Sequence, residues 1–463
     1  MITPAAALRA QLDEIDESMA ALELQMTALR AQKERVLKDL GRITYPVLTL
    51  PYEITVEIFL HFVSVMRQKS DRRPQPYYGL LKLASICQTW RAVTLSTCAL
   101  WNDIVILDFD GVRDAGELLK FFLPHAGSLP LDLKIGLLRD ESSMDTVIST
   151  LGLYSSQWRR VDLSESSFTN SNLIFPIDRF PSSLPSLESL TLHDFEVNSN
   201  SVSSLHHAPQ LRELGLGSSS WAIQLVFPFF NKLTKLVLDH YSDADLLAVL
   251  PHALNLECLQ LGSSAENTQF APLSILLPRL HTFICGDDAS ILHYLTLPVL
   301  ERLQLQDYLS NEGVHAIRSC VAQSCSTIRT LNMIQLAFDP AYDCLCSLPT
   351  IRHLCLSWLL CMDDEEDSFV AAMISGSCLP NLESLTWDGC SAYSARQLFT
   401  MISARWQGVE GTTKLSTVSL RFAGASWDDA DSMHECKDAF DQLYELGRQG
   451  PKLEITGTPN FNI

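Results

Sequence analysis

The amino-acid sequence predicts an α+β protein of several domains: a long N-terminal helix that forms a coiled coil, a compact all-α unit, and a large α/β solenoid. Three observations lead to this prediction. Apolar residues recur at heptad spacing near the N-terminus, they recur at helical spacing through residues 50–90, and a Leu-x-x-Leu-x-Leu pattern then repeats along the rest of the chain. At 463 residues the chain exceeds one ordinary domain, and its apolar content of 47% can supply a large core.

Residues 1–43 are predicted to form the long helix. Thr3 can cap its N-terminus with Pro4 at the first helical position, and Gly41 is placed to end it. The heptad seam, with Lys33 as its polar member, consists of Leu8, Leu12, Ile15, Met19, Leu22, Met26, Leu29, Lys33, Val36 and Leu40. Such a seam either joins two copies of the chain or lies against another part of it. Because charged residues flank the seam, we favour a parallel coiled-coil homodimer through residues 4–40.

A compact helical unit is predicted at residues 44–105. One helix starts at Leu50-Pro51, and a second periodic stretch starts at Leu80. The apolar residues at helical spacing are Ile54, Ile58, Phe62 and Val65 in the first stretch, and Leu83, Cys87 and Trp90 in the second. A unit of this size cannot bury so many large side chains, so we expect an exposed apolar patch of the kind that marks a partner site. The alternative is that these helices cap the larger domain. Residues 64–78, polar and interrupted by prolines, predict a surface loop between the helices.

The order of the anchors in this unit is also informative. Leu50-Pro51 is followed by Ile58-Phe59, then by a Cys-x-x-Trp-Arg segment that begins at Cys87, and finally by Leu100-Trp101. With these anchors the segment resembles an F-box. The resemblance implies docking to a Skp adaptor and, through it, to the cullin scaffold of a ubiquitin ligase of the SCF (Skp–cullin–F-box) type. The adaptor-binding residues that it implies are Leu50, Pro51, Ile54, Ile58, Phe59, Leu83, Cys87, Trp90, Leu100 and Trp101.

Residues 106–463 are dominated by an internal repeat. Clear copies of Leu-x-x-Leu-x-Leu begin at Leu187, Leu211, Leu233, Leu256, Leu300 and Ile351, and weaker copies begin at Trp158, Leu280, Ile328, Leu382 and Leu415. The repeat resembles leucine-rich repeats in an irregular form. We interpret each copy as a short strand with inward-pointing leucines and a returning helix or loop, stacked into a curved solenoid. Further strands are predicted at 104–106, 131–133 and 453–455, and a last helix with Phe440 and Leu443 on its apolar face is predicted to end at Gly447.

Charge and cysteine usage limit the classes of partner and compartment. The formal net charge is −20, and residues 106–463 hold 22 Lys/Arg against 43 Asp/Glu. This acidic region disfavours nucleic acid and anionic membranes as partners, because phosphate binding requires clustered basic side chains. No apolar run reaches membrane-spanning length, no secretory signal is recognisable, and the thirteen cysteines are mostly single. We therefore expect reduced thiols and a cytoplasmic and/or nuclear protein.

The common catalytic motifs are absent from the sequence. The sequence contains no phosphate-binding Gly-Lys-Ser/Thr loop, no Gly-x-Ser-x-Gly and no His-Glu-x-x-His. We predict no catalytic residues, no metal site and no cofactor, and hence a non-catalytic subunit.

The predicted function is a substrate receptor of an SCF-type ligase that recruits a protein client, whose identity the sequence does not give. The alternative is an interaction scaffold that uses the solenoid and the coiled coil without ligase coupling. We expect the client on the concave strand face, where side chains alternate with the inward leucines. The alternative is binding at the loops or at the C-terminal end. The candidate client-binding residues are Asp239, Arg302, Gln304, Gln306, His353 and Asp388.

Overall fold

A computed structural model of the chain shows a long N-terminal helix, further helices, and a large parallel sheet. The structure describes residues 4–40, 46–68, 76–106, 115–136, 141–164, 181, 183–192, 208–217, 230–264, 274–357, 363–390, 395–422, 430–450 and 452–456. The chain divides into two compact units. The first consists of Met1–Ser70 and Tyr78–Leu100, and the second of Asp71–Tyr77 and Trp101–Ile463.

The α-helices of the described residues are numbered in chain order. They are α1 (Pro4–Leu40), α2 (Tyr52–Gln68), α3 (Pro76–Ile86), α4 (Gln88–Ser96), α5 (Ala115–Ala126), α6 (Glu141–Gly152), α7 (Asp243–Val249), α8 (Asn311–Ser324), α9 (Phe338–Ser347), α10 (Asp363–Ser375), α11 (Ala395–Gln407) and α12 (Ala430–Gln449). The first four helices belong to the first unit, except for the first two residues of α3, and the rest belong to the second.

The strands of the described residues all lie in the second unit. They are β1 (Asp103–Ile106), β2 (Leu131–Gly136), β3 (Trp158–Ser164), β4 (Ser189–Leu192), β5 (Glu213–Leu216), β6 (Lys235–Tyr241), β7 (Cys258–Ser264), β8 (Ile275–Leu276), β9 (Thr282–Cys285), β10 (Leu295–Thr296), β11 (Arg302–Gln306), β12 (Thr330–Ile334), β13 (His353–Ser357), β14 (Ser384–Cys390), β15 (Thr417–Phe422) and β16 (Lys452–Thr456). Fourteen of them form one parallel sheet in chain order, and β8 pairs with β10 in a separate small sheet.

The Leu-x-x-Leu-x-Leu pattern accounts for the strands of the large sheet. In the copy at β11, Leu303 and Leu305 are buried, whereas the alternating residues Arg302, Gln304 and Gln306 are half-buried or exposed. Alternation follows from the pleat, which sends successive side chains to opposite faces. The first leucine of the copy, Leu300, lies before the strand, where it is buried and donates its N–H to the carbonyl of Leu297 in a turn. All fourteen strands predicted from the sequence are present.

Helices return the chain from one strand to the next on the side of the buried leucines. Between β11 and β12, for example, α8 buries Val314, Ile317 and Cys320. Neighbouring helices such as α8 and α9, or α11 and α12, pack against each other. The helices therefore form a layer over one face of the sheet. We call the opposite face, which carries Arg302, Gln304, Gln306 and their counterparts on the other strands, the open face.

The last helix departs from the sequence prediction at its C-terminal end. Gly447 does not end α12, which continues to Gln449. A Cβ atom at Gly447 would lie 3.2 Å from the Cβ atom of Leu453 on β16. The glycine thus permits close packing of the final strand against the helix. A glycine near a helix end looks the same in the sequence whether it ends the helix or allows such a contact.

In the first unit, α1 spans the predicted heptad segment, while Thr3 and Gly41 lie outside the described residues. The side chains of the seam from Leu12 to Leu29, together with Val36, are between 51% and 63% exposed. No described part of the chain covers them.

The loop predicted at 64–78 is shorter in the structure, since α2 continues to Gln68 and α3 begins at Pro76. Residues 69–75 lie outside the described residues. The second predicted helix is in fact two helices, α3 and α4, with Cys87 between them in an extended conformation. Helical spacing of Leu83, Cys87 and Trp90 therefore did not mean one continuous helix.

Candidate functional site

The first unit is held together by an aromatic pair between α2 and α4. Phe59 is completely buried, and its ring lies 4.9 Å from that of Trp90 in an edge-on arrangement. Thr55 and Val63, one turn before and one turn after Phe59, are also buried. This stripe is the inner face of α2, as expected for residues four apart on a helix.

A second stripe on α2 points outward. Ile54 and Ile58 are 48% and 45% exposed, and Leu50, just before the helix, is 38% exposed. Pro51 is exposed and precedes the first helical residue, and its carbonyl oxygen accepts the N–H of Thr55 at 3.1 Å. We call Leu50, Pro51, Ile54 and Ile58 the α2 apolar face. Adjacent large aliphatic side chains left in solvent on a packed helix are typical of a protein-binding surface.

The Cys-x-x-Trp-Arg segment fixes the junction of α3 and α4. The Cys87 sulfur accepts a hydrogen bond from the Trp90 N–H at 3.4 Å and so caps the N-terminus of α4. Arg91 donates from Nε to the carbonyl of Ala84 in the last turn of α3 at 2.8 Å. The motif therefore connects α3 and α4 through two hydrogen bonds, and its Trp90 packs against Phe59.

The ten residues implied as adaptor-binding are divided by the structure. Leu50, Pro51, Ile54 and Ile58 are exposed, and Cys87 and Trp90 are half-buried. Phe59, Leu83 and Leu100 are at most 3% exposed, and they belong to the core of the first unit. A side chain enclosed by its own unit offers no area to a partner, so the structure gives these three residues a place in the core.

Trp101 belongs to the second unit. It is 1% exposed and its ring lies 5.3 Å from Phe122 and 5.1 Å from His125, both on α5. Trp101 thus belongs to the core of the second unit and offers no exposed area there.

Sequence reasoning missed several residues of the first unit. Tyr52 is about half exposed, and its hydroxyl oxygen lies 3.0 Å from the Thr97 hydroxyl, which joins the start of α2 to the end of α4. Ile86 and Leu81 on α3 are 56% and 42% exposed. Only the surplus of apolar residues signalled Leu81, which lies outside the motif, whereas Ile86 directly precedes the Cys-x-x-Trp-Arg segment.

The open face of the sheet brings most of the candidate client-binding residues together. Arg302 on β11 is in register with Thr330 on β12, which is in register with His353 on β13. Gln304 accepts a hydrogen bond from the Asn332 amide at 3.3 Å, and Gln306 lies in the next row on β11. These side chains fall within three adjacent strands, a width of roughly 10 Å at the usual strand spacing.

Two candidate residues lie further away. Asp388 on β14 is one strand beyond His353 and forms an ion pair of 3.4 Å with Arg421 on β15. Asp239 is on β6, three strands from Arg302 on the other side. The structure therefore supports one compact group around Arg302 and His353, with Asp388 at its border and Asp239 apart from it.

The middle row of the open face carries no charge over ten consecutive strands of the sheet. From β4 to β15 it consists of Thr191, Gly215, Val237, Gln260, Ile284, Gln304, Asn332, Cys355, Thr386 and Ser419. The row beside it holds three basic residues, Lys235, Arg302 and His353, and one acidic residue, Glu213. Burial raises the pKa of Cys258 in that row, and the charges of Lys235 and Arg302 partly oppose the rise.

No protein-family model matches this chain, and no curated protein matches it in sequence.

A group of carboxylates lies where β6, β9 and α8 meet the following loops. Asp288 accepts hydrogen bonds from the backbone N–H and the hydroxyl of Ser310 at 3.0 and 2.8 Å. Asp287 accepts from the N–H of Ser264 at 3.1 Å, and Asp243 accepts from the Ser264 hydroxyl at 3.0 Å. These carboxylates connect successive repeats through backbone N–H and serine hydroxyl donors, and we assign them a structural role. In the part of the chain that the structure describes, no three His, Cys, Asp or Glu side chains come close enough to hold a metal ion.

Within the described ranges, no helix combines the length and the apolar character needed to cross a membrane.

Proposed function

We propose that this protein is the substrate receptor of an SCF-type ubiquitin ligase. Residues 44–105 serve as the F-box, and the strands and helices that follow serve as an irregular leucine-rich-repeat solenoid. The α2 apolar face binds the Skp adaptor, the adaptor connects the chain to the cullin scaffold, and the open face of the sheet holds a protein client in the cytoplasm and/or nucleus.

The observation that carries the proposal is the α2 apolar face on a rigid base. Ile54 and Ile58 remain exposed to solvent, whereas Phe59 on the inner face of the same helix is fully buried and packs against Trp90. The capped junction at Cys87 holds this base in place. A preformed apolar face loses little conformational entropy on binding and so favours a stable partner contact.

The composition of the open face favours a protein as the client. Its middle row offers amides, hydroxyls and small apolar groups, and its neighbouring row offers Arg302 and His353. Such a mixture of polar and apolar groups is typical of protein–protein interfaces, whereas a nucleic-acid site requires clustered basic residues.

The mechanism is positional. The receptor itself forms and breaks no bond; it holds the client on the same assembly as a ubiquitin-charged enzyme. Tethering raises the effective concentration of the client's lysine side chains at that enzyme.

The test is co-purification of the chain with Skp and cullin. The variant with Leu50→Ala and Pro51→Ala removes two exposed groups of the α2 apolar face and should lose both proteins, since a truncated interface anchor can cost ~2 kcal/mol or more of binding free energy. Leu254→Ala with Val299→Ala is the matched control, because it truncates two exposed apolar residues of the second unit. If the unaltered chain captures clients but neither Skp nor cullin, the scaffold alternative replaces the ligase proposal.

A further inference from the structure

The seam of α1 is the largest exposed apolar feature in the described residues of the first unit. Its side chains from Leu12 to Leu29 are all more than half exposed although the helix is fully formed over Pro4–Leu40. A surface helix of a globular protein normally buries such residues against the core. The described residues therefore leave the seam open to a partner.

The charges of α1 are separated along its length. Residues 13–17 contain Asp13, Glu14, Asp16 and Glu17 and no basic residue. Residues 30–38 contain Arg30, Lys33, Arg35 and Lys38 and a single acidic residue. Of these charges, Asp16 and Arg30 flank the seam at e positions and Lys33 lies within it. An antiparallel pair can bring Asp16 of one copy beside Arg30 and Lys33 of the other, whereas a parallel pair gives Asp16 no basic neighbour.

Lys33, which lies within the seam, also favours the antiparallel orientation. In heptad notation Lys33 occupies an a position, and a positions of parallel dimers face their own copies. A parallel dimer would therefore bring two Lys33 ammonium groups together in an apolar seam. In an antiparallel dimer an a residue faces a d residue, and Lys33 can then lie opposite Ile15 with Asp16 beside it.

One antiparallel register gives every seam residue a facing seam residue on the other copy. When Leu22 of one copy lies opposite Met26 of the other, the remaining layers follow without a gap. They are Leu8 with Leu40, Leu12 with Val36, Ile15 with Lys33, and Met19 with Leu29. The same register places Arg30 as well as Lys33 near Asp16 of the other copy. Glu23 then meets its own copy near the two-fold axis, which is the unfavourable contact of this arrangement.

We propose that the occupant of the seam is a second copy of this chain, packed antiparallel through α1. This orientation differs from the parallel dimer that the heptad pattern alone favours. The inference is independent of the proposed ligase function, because it depends only on α1.

The first test uses light scattering and zero-length carbodiimide cross-linking of the full chain. We expect a particle of twice the chain mass of 51.7 kDa and a cross-link between Lys33 and Asp16. Within one helix these residues are about 25 Å apart, so the link can form only between copies. A monomer would overturn the proposal, as would a dimer without links between residues 13–17 and residues 30–38.

The second test uses charge variants, all at exposed positions of α1. Asp16→Lys should weaken the dimer about tenfold, since each two-fold-related contact changes from attraction to repulsion. Adding Lys33→Glu should recover part of the loss, and Glu23→Gln alone should tighten the dimer. In a parallel dimer these residues have no such partners, so absence of recovery and of tightening would refute the antiparallel orientation.

Discussion

The guanidinium group of Arg405 on α11 donates a 3.1 Å hydrogen bond to the carbonyl oxygen of Leu379, whose backbone adopts a φ of +52°. The same group donates to the carbonyls of Met373, Pro380 and Leu382 at 3.0 to 3.3 Å. Arg405 is 1% exposed, and burial lowers the pKa of its guanidinium. One buried cation thus satisfies the carbonyls of the turn between α10 and β14, including a left-handed non-glycine residue.

We predict that Arg405→Met lowers the free energy of unfolding by about 3 kcal/mol, because the buried carbonyls of Met373 and Leu382 lose the guanidinium as donor. The carbonyls of Leu379 and Pro380 lose one donor and each keep a backbone N–H. Urea unfolding followed by circular dichroism measures the change. Arg396→Met on the same helix is the control, since Arg396 is exposed and its replacement should be nearly neutral. Equal effects of the two substitutions would contradict the assigned role of Arg405.

Neighbouring residues on α2 should separate binding from stability. Ile58→Asp should abolish Skp capture while the melting temperature stays within a few degrees of the original, because Ile58 is 45% exposed. Phe59→Ala should lower the free energy of unfolding of the first unit by about 3–5 kcal/mol, the usual cost of emptying a buried aromatic site. Pull-down and thermal melting of both variants test this pair. Loss of folding in Ile58→Asp would show that the outward stripe is part of the core.

This pair also shows where sequence reasoning succeeds and where it stops. Every strand of the large sheet could be predicted, because buried leucines at fixed spacing leave one possible register per copy. In α2 two apolar stripes lie side by side, and periodicity alone does not say that Phe59 faces inward and Ile58 outward. Only the packing partner, Trp90, decides between them.

The helix break at Cys87 was not predictable for a different reason. The residue is neither Gly nor Pro, and its cap depends on a sulfur acceptor, a weak and uncommon choice among helix caps. The two-residue strands β8 and β10 were missed because a segment that short has no readable alternation. The sequence identified which residues point to the open face. That several of them lie together around Arg302 became clear only from the register of the strands.

The client surface is testable by charge reversal. The double variant Arg302→Glu and His353→Glu should keep Skp binding and lose the clients that the unaltered chain captures, because it replaces two basic side chains beside the uncharged middle row with acidic ones. Quantitative mass spectrometry of captured proteins provides the measurement. Arg396→Glu, on the helix layer opposite the open face, should retain the clients. An unchanged set of clients in the double variant would move the binding site to the loops or to the C-terminal end.

Buried thiols should make the sheet unit sensitive to alkali. Burial raises the pKa of Cys285 and of Cys344 to about 12, and that of Cys320 to about 11. Below the pKa of an unfolded thiol, about 8.5, both folded and unfolded states keep the proton, and the stabilising contribution is fully present. Above it the unfolded state releases protons that the folded state retains, so the free energy of unfolding should fall as pH rises from about 9 to 12.

Urea unfolding at several pH values measures this slope. Cys344→Ala should be less stable at neutral pH but should show a shallower alkaline decline, whereas Cys325→Ala, at an exposed position, should leave the slope unchanged. A slope that does not respond to Cys344→Ala would rule out its thiol as a source.

The strict chain order of the large sheet has a consequence for how the gene can change. Each strand pairs only with the strands that precede and follow it in the sheet, from β1 to β16. A duplication or loss of one strand-and-helix segment would therefore shift the rest of the array by one place without breaking any other pairing. Lineages of such a chain can therefore lengthen or shorten the open face stepwise while the first unit and its apolar face stay the same.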